Sequence, residues 1–254
     1  KTLKKMALIS EFNYSPNFNP VKRKLNQIKF IIFHYTGMRS ESAALKKLTN
    51  SKSEVSSHYL VKNDGQIVAL VPDRYIAWHA GASLWKNYKS LNKNSIGIEI
   101  SNPGHGFGYR KFSKSQILSI IKLSKFLIKE YNIKSKNILG HSDVAPERKK
   151  DPGEKFPWKH LSQYKIGFWF NINQKKLIKK RFLKTNNFEK KLFLKNISKI
   201  GYSIKILNKN NFNRTLYTKR VILAFQRRFR QAIIDGIIDQ ECFIISKNLI
   251  KKFI

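Results

Sequence analysis

Two short apolar runs, residues 29–34 and 95–100, do most to limit the folds open to this chain. The first, rich in Ile and Phe, reads as a buried strand that ends on His34. The second alternates, with Ile96, Ile98 and Ile100 on one face and Gly97 and Glu99 on the other. Around them, residues 42–50 read as a helix. Residues 58–62 and 66–71 flank Asn63-Asp64-Gly65, a turn sequence with glycine available for positive φ, and so predict a hairpin. Ser113 and Ser115 are caps for a helix reaching about Tyr131, with Ile117, Ile120, Ile121, Leu127 and Ile128 at helical spacing. Residues 137–140 form a last short strand that delivers His141. The expected fold class is α/β: a mixed central β-sheet flanked by helices.

Beyond residue 165 the chain loses proline and becomes helix-like. Helices are expected over 175–183, 188–200 and 218–232, then a turn at Asp235-Gly236-Ile237-Ile238-Asp239 and a terminal helix from about Gln240. The reading is an N-terminal extension (1–27), an α/β domain (28–165) and a small C-terminal all-α domain of three-helix type (175–254). A net charge of +36 attracts polyanions in general. Lysine far outnumbers arginine, however, and no aromatic or named nucleic-acid motif accompanies it, so no specific nucleic-acid partner is expected. No apolar run approaches the length of a transmembrane segment, and nothing in the first residues reads as a cleavable leader.

The chain has one cysteine, Cys242, in an apolar stretch; it reads as an inert core residue and excludes a cysteine-rich metal cluster. Any metal must be held by nitrogen and oxygen. His34, His141 and Asp151 supply two imidazoles and one carboxylate, the three-ligand set that leaves a catalytic zinc an open position for water. Glu99 is a carboxylate in the middle of an isoleucine strand, where an unpaired charge is costly unless it has a task, and burial raises its pKa as a general base requires. Lys149, two residues before Asp151, points the same way in an extended loop and is the candidate oxyanion stabiliser. The combination points to metal-assisted hydrolysis.

Seven separated motifs occur in one order: Phe33-His34-Tyr35-Thr36, Ser57-His58-Tyr59-Leu60-Val61, Asp64-Gly65, Trp78-His79-Ala80-Gly81, Ser95-Ile96-Gly97-Ile98-Glu99, Gly140-His141-Ser142-Asp143-Val144-Ala145-Pro146 and Lys149-Lys150-Asp151-Pro152-Gly153. Over about residues 28–160 they resemble the zinc-dependent N-acetylmuramoyl-L-alanine amidase type 2 family, which includes peptidoglycan recognition proteins. The resemblance implies one Zn²⁺ per chain, held by His34, His141 and Asp151 at one end of the sheet, with Glu99 as base and Lys149 on the oxyanion. It implies hydrolysis of the amide between the lactyl group of muramic acid and L-alanine, on peptidoglycan or muropeptides. The alternative is a non-catalytic recognition protein of the same fold, but such relatives tend to lose the third ligand, and Asp151 and Glu99 are both present. Trp78 and His79 are expected to line the cleft for substrate, His58 to be structural, and His105 and His160 to have no role.

Ala224-Phe225-Gln226-Arg227-Arg228-Phe229 followed by Asp235-Gly236-Ile237-Ile238-Asp239 resembles a small peptidoglycan-binding domain. Such an added segment implies a bacterial periplasmic or envelope enzyme; the alternative is a cytoplasmic one in muropeptide recycling.

Overall fold

The computed structural model describes residues 6–204 and 211–252. Its strands are β1 (Glu11–Phe12), β2 (Phe18–Asn19), β3 (Phe30–Tyr35), β4 (Tyr59–Val61), β5 (Ile67–Ala69), β6 (Ile76–Ala77), β7 (Leu84–Trp85), β8 (Tyr88–Lys89), β9 (Ser95–Ile100) and β10 (Ile138–Gly140). Six of them form one sheet in the order β1-β5-β4-β9-β3-β10. Only β4 and β5, the expected hairpin, run antiparallel; every other neighbouring pair is parallel. This is the mixed α/β sheet the two apolar runs predict.

Alternation along the strands divides the interior into two layers, because successive side chains point to opposite faces. Ile31 and Phe33 of β3 and all three isoleucines of β9 pack with Ile120, Leu123 and Leu127 of the helix Lys114–Tyr131. Ser113 caps that helix, its hydroxyl accepting from Gln116 N while the Gln116 side chain returns to the Ser113 amide. Phe30 and Ile32 face the other way, into a cluster shared with Phe193, Ile197, Phe225, Phe229, Cys242 and Ile245. The C-terminal helices Asn187–Ile200, Asn211–Phe229 and Gln240–Ile250 therefore bury their apolar stripes in one continuous core with the back of the sheet.

Three features depart from the sequence reading. Glu11–Phe12, within the expected N-terminal extension, adds a parallel strand to the sheet edge beside β5. The helix expected over 175–183 is shorter, Gln174–Ile178, because the chain turns through Phe182 in the left-handed region (φ 64°) to reach an isolated bridge between Lys184 and Asp239. The helix expected over 218–232 is Asn211–Phe229; Arg230 leaves it to pair with Asp235 and Asp239. Cys242 is fully buried, as expected, and burial pushes its thiol up to about 12.

Candidate active site

The register of the parallel strands gathers the candidate residues. His34 of β3 lies directly opposite Glu99 of β9, and Phe33 opposite Gly140 of β10. Partners in parallel register project to the same face, so His34 and Glu99 share one side of the sheet at its carboxyl end. His141 follows as the first residue of the short helix His141–Val144. Crevices at the carboxyl ends of parallel strands are where α/β proteins bind ligands.

Asp151 joins them because the intervening loop folds back, with Ser142 N donating to Asp151 O at 2.8 Å. His34 Nδ1, His141 Nδ1 and Asp151 Oδ2 then form a triangle with edges of 2.9, 3.0 and 3.0 Å. All three residues are buried, and among the described residues they are a group that can hold a metal ion. The proton inventory tests the fit. His141 Nε2 lies 3.1 Å from Ala80 O, which only accepts, and farther, 3.4 Å, from the Arg148 guanidinium, which only donates; the nearer carbonyl favours a proton on Nε2 and a lone pair at Nδ1. Asp151, ionised, brings lone pairs only. Two electron-rich atoms 3.0 Å apart and buried are stable only with a proton or a metal cation between them, and the triangle has room to offer three such atoms to one ion. Two imidazole nitrogens and a carboxylate oxygen suit a divalent transition metal.

The charges of the site are strongly perturbed. Burial, then the neighbouring His141, pushes His34 down to about 4, so its imidazole is neutral in ordinary buffer. Burial alone would raise Asp151, but His141 and His34 outweigh it and hold the carboxyl well below the usual carboxylate range. Glu99 moves the other way: burial, then the Asp151 charge, pushes it up to about 8, with Lys149 opposing. Among the described residues no group hydrogen-bonds its Oε2.

These residues line a cavity of about 390 Å³, together with Trp78, His79, Lys47, Arg148, Lys149 and Lys150. Lys149 is half-buried there. Trp78 is 36% exposed, whereas His79 is buried, with both ring nitrogens within hydrogen-bond distance of neighbours. His58 lies beneath: its Nδ1 accepts from Gly97 N at 3.0 Å and its Nε2 donates to Tyr75 O. His105, given no role from the sequence, bridges the Tyr35 hydroxyl and the Glu154 carboxylate at the rim.

One support of the site was not foreseen. Asp143, two residues past His141, accepts from Gly140 N, the Tyr202 hydroxyl and the Arg228 guanidinium. Arg228 is 1% exposed, also donates to Ile138 O, and lies over the Trp158 and Phe168 rings. A signal was present in the sequence: by helical spacing Arg228 falls on the stripe of Val221, Ala224 and Phe225, where a charge needs a buried partner.

The family described as N-acetylmuramoyl-L-alanine amidase matches residues 24–154 of this chain. The N-acetylmuramoyl-L-alanine amidase AmiD of Escherichia coli is 36% identical over 239 residues, 89% of this chain and 84% of that protein. The 1,6-anhydro-N-acetylmuramyl-L-alanine amidase AmpD of Enterobacter cloacae is 38% identical over 104 residues, 41% of this chain and 54% of its own. Among solved structures, the complex of Escherichia coli AmiD with anhydro-N-acetylmuramic acid-L-Ala-D-gamma-Glu-L-Lys superposes with a TM-score of 0.76 at 33% identity, covering 92% of each chain. AmpDh3 of Pseudomonas aeruginosa superposes with a TM-score of 0.75 at 30% identity, over 92% of this chain and 94% of that one.

Proposed function

This chain belongs to the N-acetylmuramoyl-L-alanine amidase family, and on that premise we propose that His34, His141 and Asp151 hold one Zn²⁺ per chain for cleavage of the bond between the muramic acid lactyl group and L-alanine. The observation that carries the reading is the buried triangle of donor atoms, open to a cavity that also holds Glu99 and Lys149. A zinc ion held by these three residues would supply Lewis acidity to the scissile carbonyl and to the attacking water. Glu99 takes the proton from that water. Its raised pKa suits a group that must accept a proton and then release it to the departing alanine amine. A cation held in the triangle would draw that pKa down and favour the carboxylate form. Lys149 brings its ammonium to the same cavity and stabilises the oxyanion of the tetrahedral intermediate. Trp78 offers an exposed aromatic face at the mouth for the sugar or stem peptide, and His79 stands behind it.

The substrate we infer is peptidoglycan or its muropeptides, the anhydro form included, since the anhydromuramyl peptide named with AmiD sits on a chain alike over nearly its whole length. The helical segment, residues 175–254, is read as a peptidoglycan-binding-like domain, which favours an envelope enzyme over a cytoplasmic one. Among the described residues no helix is long and apolar enough to cross a membrane.

The test is direct. Muropeptides incubated with the protein should release free stem peptides detectable by mass spectrometry; a chelator should stop release, and added zinc should restore it. No free stem peptide under any of these conditions would overturn the reading.

A further inference from the structure

A hydrogen-bond chain running back from His34 ends on a backbone carbonyl, and that end sets the direction of every link. Leu91 O only accepts, so the Ser95 hydroxyl 2.6 Å away is the donor. With its proton committed, Ser95 Oγ meets His79 Nε2, at 3.1 Å, as an acceptor, and His79 carries its proton on Nε2. His79 Nδ1 is then a lone pair, and His34 Nε2, 3.0 Å from it, donates. The proton of His34 is thus fixed on Nε2, and Nδ1 faces His141 and Asp151 unprotonated.

We propose that Ser95 and His79 are positioning residues for His34, holding it in the one tautomer and ring orientation that can bind a metal through Nδ1. The inference rests on the metal-site reading above but concerns groups outside the donor triangle itself. Ring nitrogens of metal-bound histidines are generally oriented by such outer partners; here the partner is a second histidine instead of a carboxylate, so the site gains no further negative charge.

The surroundings of His79 are built to hold it. Gly97 opens the space its ring fills: a Cβ at that position would come within 2.4 Å of His79 Cγ. The His58 ring meets it edge-on with centroids 5.6 Å apart. Asn92 Oδ1 accepts from the backbone amides of both His79 and Ala80. Since Ala80 O in turn accepts from His141 Nε2, the His79–Ala80 dipeptide sets the tautomers of both imidazoles of the triangle.

Zinc affinity, measured by competition with a chromogenic chelator, separates this role from packing. Leucine in His79→Leu removes the acceptor, and the variant should bind zinc about 10–100-fold more weakly. His79→Asn places an amide oxygen near the position of Nδ1 and should recover much of that loss, which a purely steric role would not produce. Ser95→Ala should weaken binding in the same direction as His79→Leu. If His79→Leu and Ser95→Ala both bind zinc as tightly as the unsubstituted protein, the proposal is wrong. Where His79→Leu does not fold, Ser95→Ala decides alongside the ¹⁵N-histidine spectrum of the metal-free, unsubstituted protein, in which His34 and His79 should both be protonated on Nε2. A His34 protonated on Nδ1 would overturn the proposal without any variant. Should the unsubstituted protein take up no zinc at all, the metal reading fails while that spectrum still judges the relay.

Discussion

Arg228→Ala offers the sharpest test of how the C-terminal helices support the active site. The substitution removes the guanidinium paired with Asp143, its bond to Ile138 O at 2.9 Å, and its place over the Trp158 ring at 4.1 Å. Both partners of the ion pair are 1% exposed, so solvent cannot replace the lost charge. Asp143 keeps its bonds from Tyr202 and Gly140, at 2.6 and 2.8 Å, but these are neutral donors. Breaking a buried pair by removing one partner costs about 3–5 kcal/mol, chiefly because the surviving charge is left uncompensated. Against a total stability of roughly 5–15 kcal/mol for a folded domain, that is a large fraction. Urea unfolding of the metal-free protein, followed by circular dichroism, should show the loss as a lower midpoint. Asp143→Asn combined with Arg228→Met removes both charges and should lose less than the two single changes added together, with a coupling of about 1 kcal/mol or more. A cost for Arg228→Ala under about 1 kcal/mol, or strict additivity in the double variant, would refute the view that this pair ties the helices to the His141 loop.

Three further outcomes are expected. Glu99→Gln should lower kcat by about 10²–10⁴ while zinc affinity is retained, separating a base from a ligand; a kcat near that of the unsubstituted protein would remove Glu99 from the chemistry. Lys149→Ala should lower kcat by about 10²–10³ with little change in zinc content, read by metal analysis beside the rate assay. In the metal-free protein, Glu99, raised to about 8, binds a proton in the folded state at a pH where the unfolded chain has released it, so stability should fall as pH rises through that range. The depressed His34, at about 4, produces the opposite slope, but only below the ordinary histidine pKa near 6.5. Between about pH 6.5 and 8 the Glu99 slope should therefore stand out, at up to about 1.4 kcal/mol per pH unit, and Glu99→Gln should abolish it.

Much of the centre was legible in the sequence because its residues break local rules. Glu99 interrupts an isoleucine alternation, and His34 closes an apolar strand, so each announces a buried polar group on a known face. The spacing from Gly140 through Asp151 placed a second histidine, a carboxylate and Lys149 on one loop beside a strand. Helical periodicity likewise placed Lys114–Tyr131 and Asn187–Ile200 to within a residue or two of their caps.

Periodicity states which face a side chain occupies, not which residue stands opposite it. The register that sets His34 beside Glu99 is a property of strand pairing between segments sixty-odd residues apart, and no local signal carries it. The same holds for Ser95, His79 and His34, whose chain of hydrogen bonds joins three segments, and for Arg228, whose partner Asp143 lies 85 residues earlier. The sequence alone determined the kinds of groups available and the ends of the elements that carry them. Which of those groups carry a proton, and which face the triangle as lone pairs, was decided only when tertiary packing set Ala80 O against His141 and set His79, itself held by Ser95, against His34.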